Sequence, residues 1–214
     1  MLVLAIDTST PAVTAGVVDV SPDSVRALAT RVTVDARAHA EVLTPRIMDC
    51  LGDIDAAPVD LDAVVVGVGP GPFTGLRVGM ATAAAFADAL GLPVHGVCSL
   101  DAIAGQVGGD RDLLVVTDAR RREVYWARYS RGARVEGPGV VKPTDLESAP
   151  SEFIAGSASH VDFFDLSVEP VETPSPEGLA TVARAALLAG AEPEPLVPLY
   201  LRRPDAVALA DRKK

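Results

Sequence analysis

Short apolar runs separated by polar turns dominate the first hundred residues. Leu2 to Ile6 is a continuous apolar run of strand length, closed by Asp7-Thr8-Ser9-Thr10. Val13 to Val18 follows, and the pair reads as a β-hairpin. Leu28, Thr30, Val32 and Val34 recur at every second position, the period of a third strand. From His39 to Leu51 the period becomes helical, with Leu43, Ile47 and Cys50 on one stripe. Pro45 interrupts that stripe and predicts a kink or an early turn, because proline lacks the N–H and crowds the preceding turn. Ala63 to Val68 is apolar throughout, as expected of a strand buried on both faces. Gly69-Pro70-Gly71-Pro72 then breaks the chain. Thr74 to Leu90 predicts a long helix, Val94 to Val97 a fifth strand, and a further helix starts at Ser99.

This β-β-β-α-β-α-β order ends near residue 105, and Val107-Gly108-Gly109-Asp110 reads as a boundary. Residues 1–105 are therefore expected to form one lobe, and residues 106–214 a smaller, truncated one. The second lobe opens as the first does: Leu113 to Val116 is a buried strand, Asp118-Ala119-Arg120 a turn, and Glu123 to Tyr129 a returning strand. Phe153 to Gly156 predicts another short strand. Ser175 is placed to cap a helix with Pro176 at its first position, and Gly190 stops that helix after Leu188. The proline-rich stretch Glu192 to Pro204 predicts an extended arm lying on the surface. The class is α/β, mixed sheets flanked by helices, and the repeated hairpin is how each lobe of an actin-like fold begins.

Composition narrows the function more than the fold. Hydrophobic residues are 49% of 214, but only 4% are aromatic, so the core is built from Ala and Val and leaves few large side chains to shape a ligand pocket. The net charge of −10 argues against a protein that grips nucleic acid by itself, since such binding runs on released counterions at a basic face. Arg120-Arg121-Arg122, Arg202-Arg203 and Arg212-Lys213-Lys214 read as solvated loops or ends. No apolar run approaches the roughly 20 residues of a membrane-spanning helix. The opening residues lack the basic region of a secretory leader. Cys50 and Cys98 stand in separate apolar stretches, as buried free thiols of a reducing compartment do. The expected location is the cytoplasm.

Four candidate sites follow from residue types and spacing. The loop Gly67 to Gly75 joins a strand to a helix, where phosphates often bind, but it lacks a Gly-Lys-Ser/Thr ending. Pro70 and Pro72 also remove two N–H donors, so a tight structural turn is the better reading. In the following helix Gly75, Gly79, Ala83 and Ala87 recur every four residues as a ridge of very small side chains, shaped for close approach of another helix. Leu76, Met80, Ala84 and Leu90 are then expected to face the sheet. Asp7 and Asp118, each ending the first strand of a lobe, together with Ser9 and Thr10, are candidates to contact Mg²⁺ or phosphate in a cleft. His39, His95 and His160 occupy unrelated contexts with no metal-ligand spacing, and no nucleophile elbow supports a peptidase.

The segments Leu4 to Thr10, Val66 to Gly79, Asp118 to Tyr125 and Pro198 to Arg202 together resemble the bacterial TsaB (YeaZ) family, over nearly the whole chain. Pro72 departs from it, since the family usually carries Ser there. The resemblance implies an ASKHA (actin-like, ribonuclease H-like) fold. It also implies a part in threonylcarbamoylation of N6 of adenosine 37 in tRNAs that read ANN codons. The implied role is a non-catalytic scaffold that pairs with the larger paralogue TsaD, with TsaE joining the complex and tRNA met only through it. TsaD carries a His-x-x-x-His metal pair, and Ser99 and Ile103 stand at the corresponding places here. Neither side chain substitutes for an imidazole ligand, so no catalytic or metal residue is assigned. The implied pairing face is the ridge Gly75, Gly79, Met80, Ala83 and Ala87 with His39 and Leu43. A homodimer is expected for the chain alone, and ATP or ADP with Mg²⁺ only at the interface of the complex. The competing reading is a nucleotide-dependent transferase or ATPase acting through Asp7, Ser9 and Asp118.

Overall fold

Strand β1, Leu2–Asp7, has no exposed residue, and this fixes the layering of the first lobe. Its alternate side chains must be covered on both faces, and they are. Leu4 and Ile6 pack with Leu43, Ile47, Leu76 and Met80 of helices α1 (His39–Asp53) and α2 (Phe73–Leu90). Val3 and Ala5 pack with Leu179, Ala180, Ala183 and Leu187 of helix α5 (Pro176–Leu188). Each fully buried Leu or Ile contributes about 1.5–3 kcal/mol. The computed structural model that shows this arrangement describes residues 1–35 and 38–202.

Two five-stranded sheets repeat one topology. In the first, the order is β3-β2-β1-β4-β5. Here β1, β2 (Ala12–Val20) and β3 (Val25–Val34) form an antiparallel meander, and β4 (Ala63–Gly67) and β5 (Val94–Val97) run parallel to β1. The second sheet comprises β6 (Leu113–Asp118), β7 (Val124–Ser130), β8 (Ala133–Val141), β9 (Phe153–Gly156) and β10 (Ser167–Val168). Its order is β10-β9-β6-β7-β8, the same arrangement, with β6, β7 and β8 antiparallel and β9 and β10 parallel to β6. The duplicated hairpin is therefore the visible part of a duplicated sheet. The class is the expected α/β, actin-like one.

The spatial lobes do not follow the boundary expected at residue 105. Helix α5 comes late in the chain yet covers the first sheet. Helix α3 (Ser99–Val107) places Leu100, Ile103 and Ala104 in the core of the second sheet, against Leu113 and Val115. The two helices thus cross between lobes and pack on each other, and a Cβ on Gly178 would lie 2.3 Å from the Ala102 carbonyl.

Other expectations hold or shift for identifiable reasons. Ser175 caps α5 through its side chain, accepting from Gly178 N at 3.0 Å, and Gly190 follows the helix in the left-handed region at φ 58°. Pro45 does not end α1, because it sits on the exposed face where water meets the carbonyl it deprives of a partner. The proline-rich arm does more than lie on the surface. Leu196 and Leu199 pack on the first core, and Leu199 and Leu201 on the second. Arg203 and Pro204 of that arm, and the basic end Arg212 to Lys214, lie outside the described residues. No helix among the described residues is long and apolar enough to cross a membrane.

Candidate functional site at the interlobe cleft

The turn between β1 and β2 is the hub of the site, because three other segments converge on it. Asp7 is fully buried. Its Oδ1 accepts from Ser9 N at 2.8 Å and Ser9 Oγ at 2.7 Å, and its Oδ2 accepts from Ser99 Oγ at 2.5 Å. Ser99 in turn accepts from Gly69 N at 3.2 Å through its hydroxyl and donates its own N–H to Gly69 O at 2.7 Å. A Cβ on Gly67 would stand 1.7 Å from Asp7 Oδ2, so only glycine fits at the end of β4. Burial pushes the Asp7 carboxyl above its ordinary range, and the donors from Ser99 and Ser9 offset part of that rise. Asp7 therefore ties the strand end, the Gly-Pro loop and α3 together.

Thr8 does the same for α2. Its hydroxyl donates to Gly75 O at 2.7 Å and accepts from Gly79 N at 3.0 Å, bridging two successive turns of the helix. A Cβ on Gly79 would lie 2.3 Å from Thr8 Oγ1, and one on Gly75 2.6 Å from Thr8 O. The small-residue ridge is thus occupied from within the chain. Gly75 and Gly79 are buried against Thr8; Met80, Ala83, Ala87 and Leu43 are buried in the first core; and His39 is buried beside Thr10. This corrects the expected pairing face, since Gly79, Met80, Ala83, Ala87 and Leu43 are buried inside the chain, and only Gly75 and His39 reach a surface, that of the interlobe cleft. Ala84, expected to face the sheet, is exposed, and Leu90 is half-buried. The outer face of α2 is Ala81, Ala84, Ala85 and Asp88.

Beside the hub lies a cleft of about 380 Å³, with walls from both lobes. The first lobe supplies Thr8, Thr10, His39 and the stretch Gly71 to Gly75. The second supplies Ala119, Arg120 and Tyr125, and the arm adds Tyr200 and Arg202. His39 Nε2 donates to Thr10 O at 3.0 Å, and Thr10 Oγ1 accepts from Ala12 N at 3.2 Å. Among the described residues no carboxylate lines the cleft. Of the four predicted ligand-contacting residues, only Thr10 reaches it. Ser9 and Asp7 are spent on each other. Asp118 accepts from Arg120 N at 2.7 Å, pairs with the Arg120 guanidinium at 3.3 Å and lies 3.6 Å from His160 Nε2. The loop expected to be purely structural does line the cleft through Gly71, Pro72 and Phe73, while Gly71 packs on the Ser9 backbone.

Arg120, Arg121 and Arg122 are exposed in a turn, as expected, whereas Arg202 is not simply solvated. Arg120, Arg121 and Arg122 all have positive φ, 63°, 53° and 62°, in the turn between β6 and β7. Arg202 pairs with Glu123 at 3.2 Å and donates to Ala119 O. Sequence reasoning missed Thr8, Phe73, Tyr200 and Arg202. For the last two the signals were the family-like stretch Pro198 to Arg202 and three leucines in a proline-rich arm, which mark it as having something to bury.

Cys50 and Cys98 are free and buried, and burial pushes both thiols up to about 11. Ile103 is fully buried in the second core. Among the described residues no group of three or more His, Cys, Asp or Glu side chains is arranged to hold a metal ion.

Comparison with known proteins bears on the fold and the family. Residues 31–191 match the family model for TsaD, tRNA N6-adenosine threonylcarbamoyltransferase. A solved structure of YeaZ from Pseudomonas aeruginosa is 30% identical and superposes with a TM-score of 0.77, covering 94% of this chain and 100% of that one. The chain belongs to the TsaB (YeaZ) family. A Mycobacterium tuberculosis protein described as uncharacterized is 58% identical over 97% of this chain and 95% of its own length. The Bacillus subtilis tRNA threonylcarbamoyladenosine biosynthesis protein TsaB is 37% identical over 60% of this chain and 55% of that protein. In this chain Ser99 is a strut under Asp7, and Ile103 is core packing.

Proposed function

We propose that this TsaB-family chain is a non-catalytic scaffold subunit in tRNA threonylcarbamoyladenosine biosynthesis, acting in the cytoplasm. It pairs with TsaD, which performs the threonylcarbamoyl transfer to N6 of adenosine 37. TsaE joins the assembly, and tRNA is met only there. Nucleotide and Mg²⁺, where they enter, belong to the interface of the complex.

The observation that carries this reading is the engagement of Asp7. A carboxylate that served a metal or a phosphoryl group would have to face the cleft. Asp7 is instead fully buried and committed to Ser9 and Ser99. The outer face of α2 also supports pairing: Ala81, Ala84 and Ala85 are exposed and carry no long side chain that would hold a partner helix away. This moves the proposed contact from the buried ridge to the opposite side of the same helix.

The test is to mix the purified chain with TsaD of the same organism and measure mass by light scattering, with ATP hydrolysis assayed for the chain alone. A heterodimer at micromolar concentration and no turnover are expected. Turnover that Asp7→Ala abolishes, or no heterodimer, overturns the reading.

A further inference from the structure

The lobes meet along two seams of unequal strength. On one side α3 and α5 are pressed together with Gly178 against the Ala102 carbonyl, a contact that leaves no room for a side chain. On the cleft side the arm makes the connection. The Leu199 N–H donates to Val68 O of the first lobe at 2.9 Å, and the Leu199 side chain joins both cores. Tyr200 stacks on Phe73 at the start of α2 with ring centroids 5.1 Å apart, and its hydroxyl accepts from Arg77 Nε at 2.8 Å. The Arg77 guanidinium lies 3.8 Å over the Phe73 ring. Two residues on, Arg202 is tied to Ala119 and Glu123 in the β6–β7 turn. A stretch of four residues is therefore fastened to both walls of the cleft.

These ties differ in kind from the helical seam. Phe73 and Tyr200 are 39% and 38% exposed, so water screens the cation–π contact and competes for the hydroxyl bond. Segments held by few buried contacts open at lower free energy than the core. We infer that residues 199–202 are an interlobe clasp: Tyr200 on α2 and Arg202 on the β6–β7 turn set the width of the cleft, and their release lets the lobes part about the α3–α5 seam. The clasp also links the position of the second lobe to α2. It does not depend on which protein the chain pairs with.

Hydrogen exchange of the full-length chain, followed amide by amide, tests this. In the unaltered protein Leu199 N–H and the β6–β7 turn amides of Ala119 and Glu123 are expected to be protected. Tyr200→Ala should speed exchange at least tenfold at Leu199 and, through the arm, also at Ala119 and Glu123, while β1 and α5 keep their protection. Arg202→Gln should do the same from the other end, raising exchange at Leu199. Acceleration confined to the mutated end, or none, overturns the clasp. If Tyr200→Ala loosens β1 as well, the Arg202→Gln result decides by the same criterion.

Discussion

The Ser99 hydroxyl donates to the buried Asp7 carboxylate at 2.5 Å, across a gap of 92 residues in sequence. It joins the first strand of the chain to the first turn of α3, and the Gly69 N–H donates to the same hydroxyl. The pair is an anchor for the fold, and its loss should be felt as stability. Ser99→Ala leaves a buried carboxylate oxygen short of a donor, which costs about 1–3 kcal/mol. A urea midpoint lowered accordingly, with mixing against TsaD still giving a heterodimer at temperatures where the variant is folded, is the expected outcome. An unchanged midpoint would show that water or another group replaces the hydroxyl.

The Gly79–Thr8 contact makes a second prediction, and it reverses what the spacing of the ridge suggested. Gly79→Leu is expected to destabilise the monomer, not to leave it intact with a blocked partner face, because its Cβ alone would stand 2.3 Å from Thr8 Oγ1. Overpacking of this kind costs about 1–3 kcal/mol. Gly79→Ala isolates the effect. With Thr8→Ala the oxygen is gone and the nearest atom is Thr8 Cβ at 3.4 Å, an ordinary contact. The double variant should therefore be less destabilised than the sum of the two singles in a thermal-unfolding cycle. Simple additivity would mean that the helix shifts to absorb the methyl group.

That reversal shows where sequence reading stops. A recurrence of four along α2 reports that one side must be approached closely, but Thr8 and a foreign helix leave the same signature. Strands β1 and β4 were legible because burial on both faces gives unbroken apolar runs, and β2 because only Thr14 and Asp19 interrupt its apolar residues. Strand β8 was not, since it lies at a sheet edge with Arg134, Val135 and Glu136 exposed and Gly137-Pro138-Gly139 inside it. The helical pattern of α5 was plain to its last residue, yet nothing in its period says which sheet it covers. The cleft depends on just such facts. It is built from the turn at Thr8, the arm at Tyr200 and the hairpin at Arg120, which only the fold brings together.

The Asp7 carboxyl gives stability a pH dependence. Burial raises its folded-state pKa above the unfolded value of 3.8, so the native state holds the proton more tightly than the unfolded chain. Its favourable contribution is then fully present below pH 3.8 and is lost as pH rises through the folded pKa. Asp7→Asn removes the titration while keeping the shape of the group. Urea midpoints of the two proteins between about pH 3.5 and 8 should move apart, with the unaltered protein losing ground to the variant as pH rises. Parallel curves would show that the donors from Ser9 and Ser99 hold the carboxyl at its unfolded value.

The outer face of α2 separates pairing from folding. Ala81, Ala84 and Ala85 are exposed, so a long side chain there meets solvent in the monomer. Surface changes of this sort usually stay within about 0.5 kcal/mol in stability. Against a partner helix the same side chain holds two backbones apart and buries a charge, and interface truncations or clashes of this kind reach several kcal/mol. Ala84→Arg should therefore weaken pairing with TsaD by about 100-fold, or roughly 2.7 kcal/mol, while the unfolding midpoint stays in place. Light scattering of the mixture reads the first quantity and thermal unfolding the second. Normal pairing by Ala84→Arg would move the partner off this face. Loss of pairing by Ala84→Arg together with normal folding would place TsaD on the side of α2 that Thr8 leaves open.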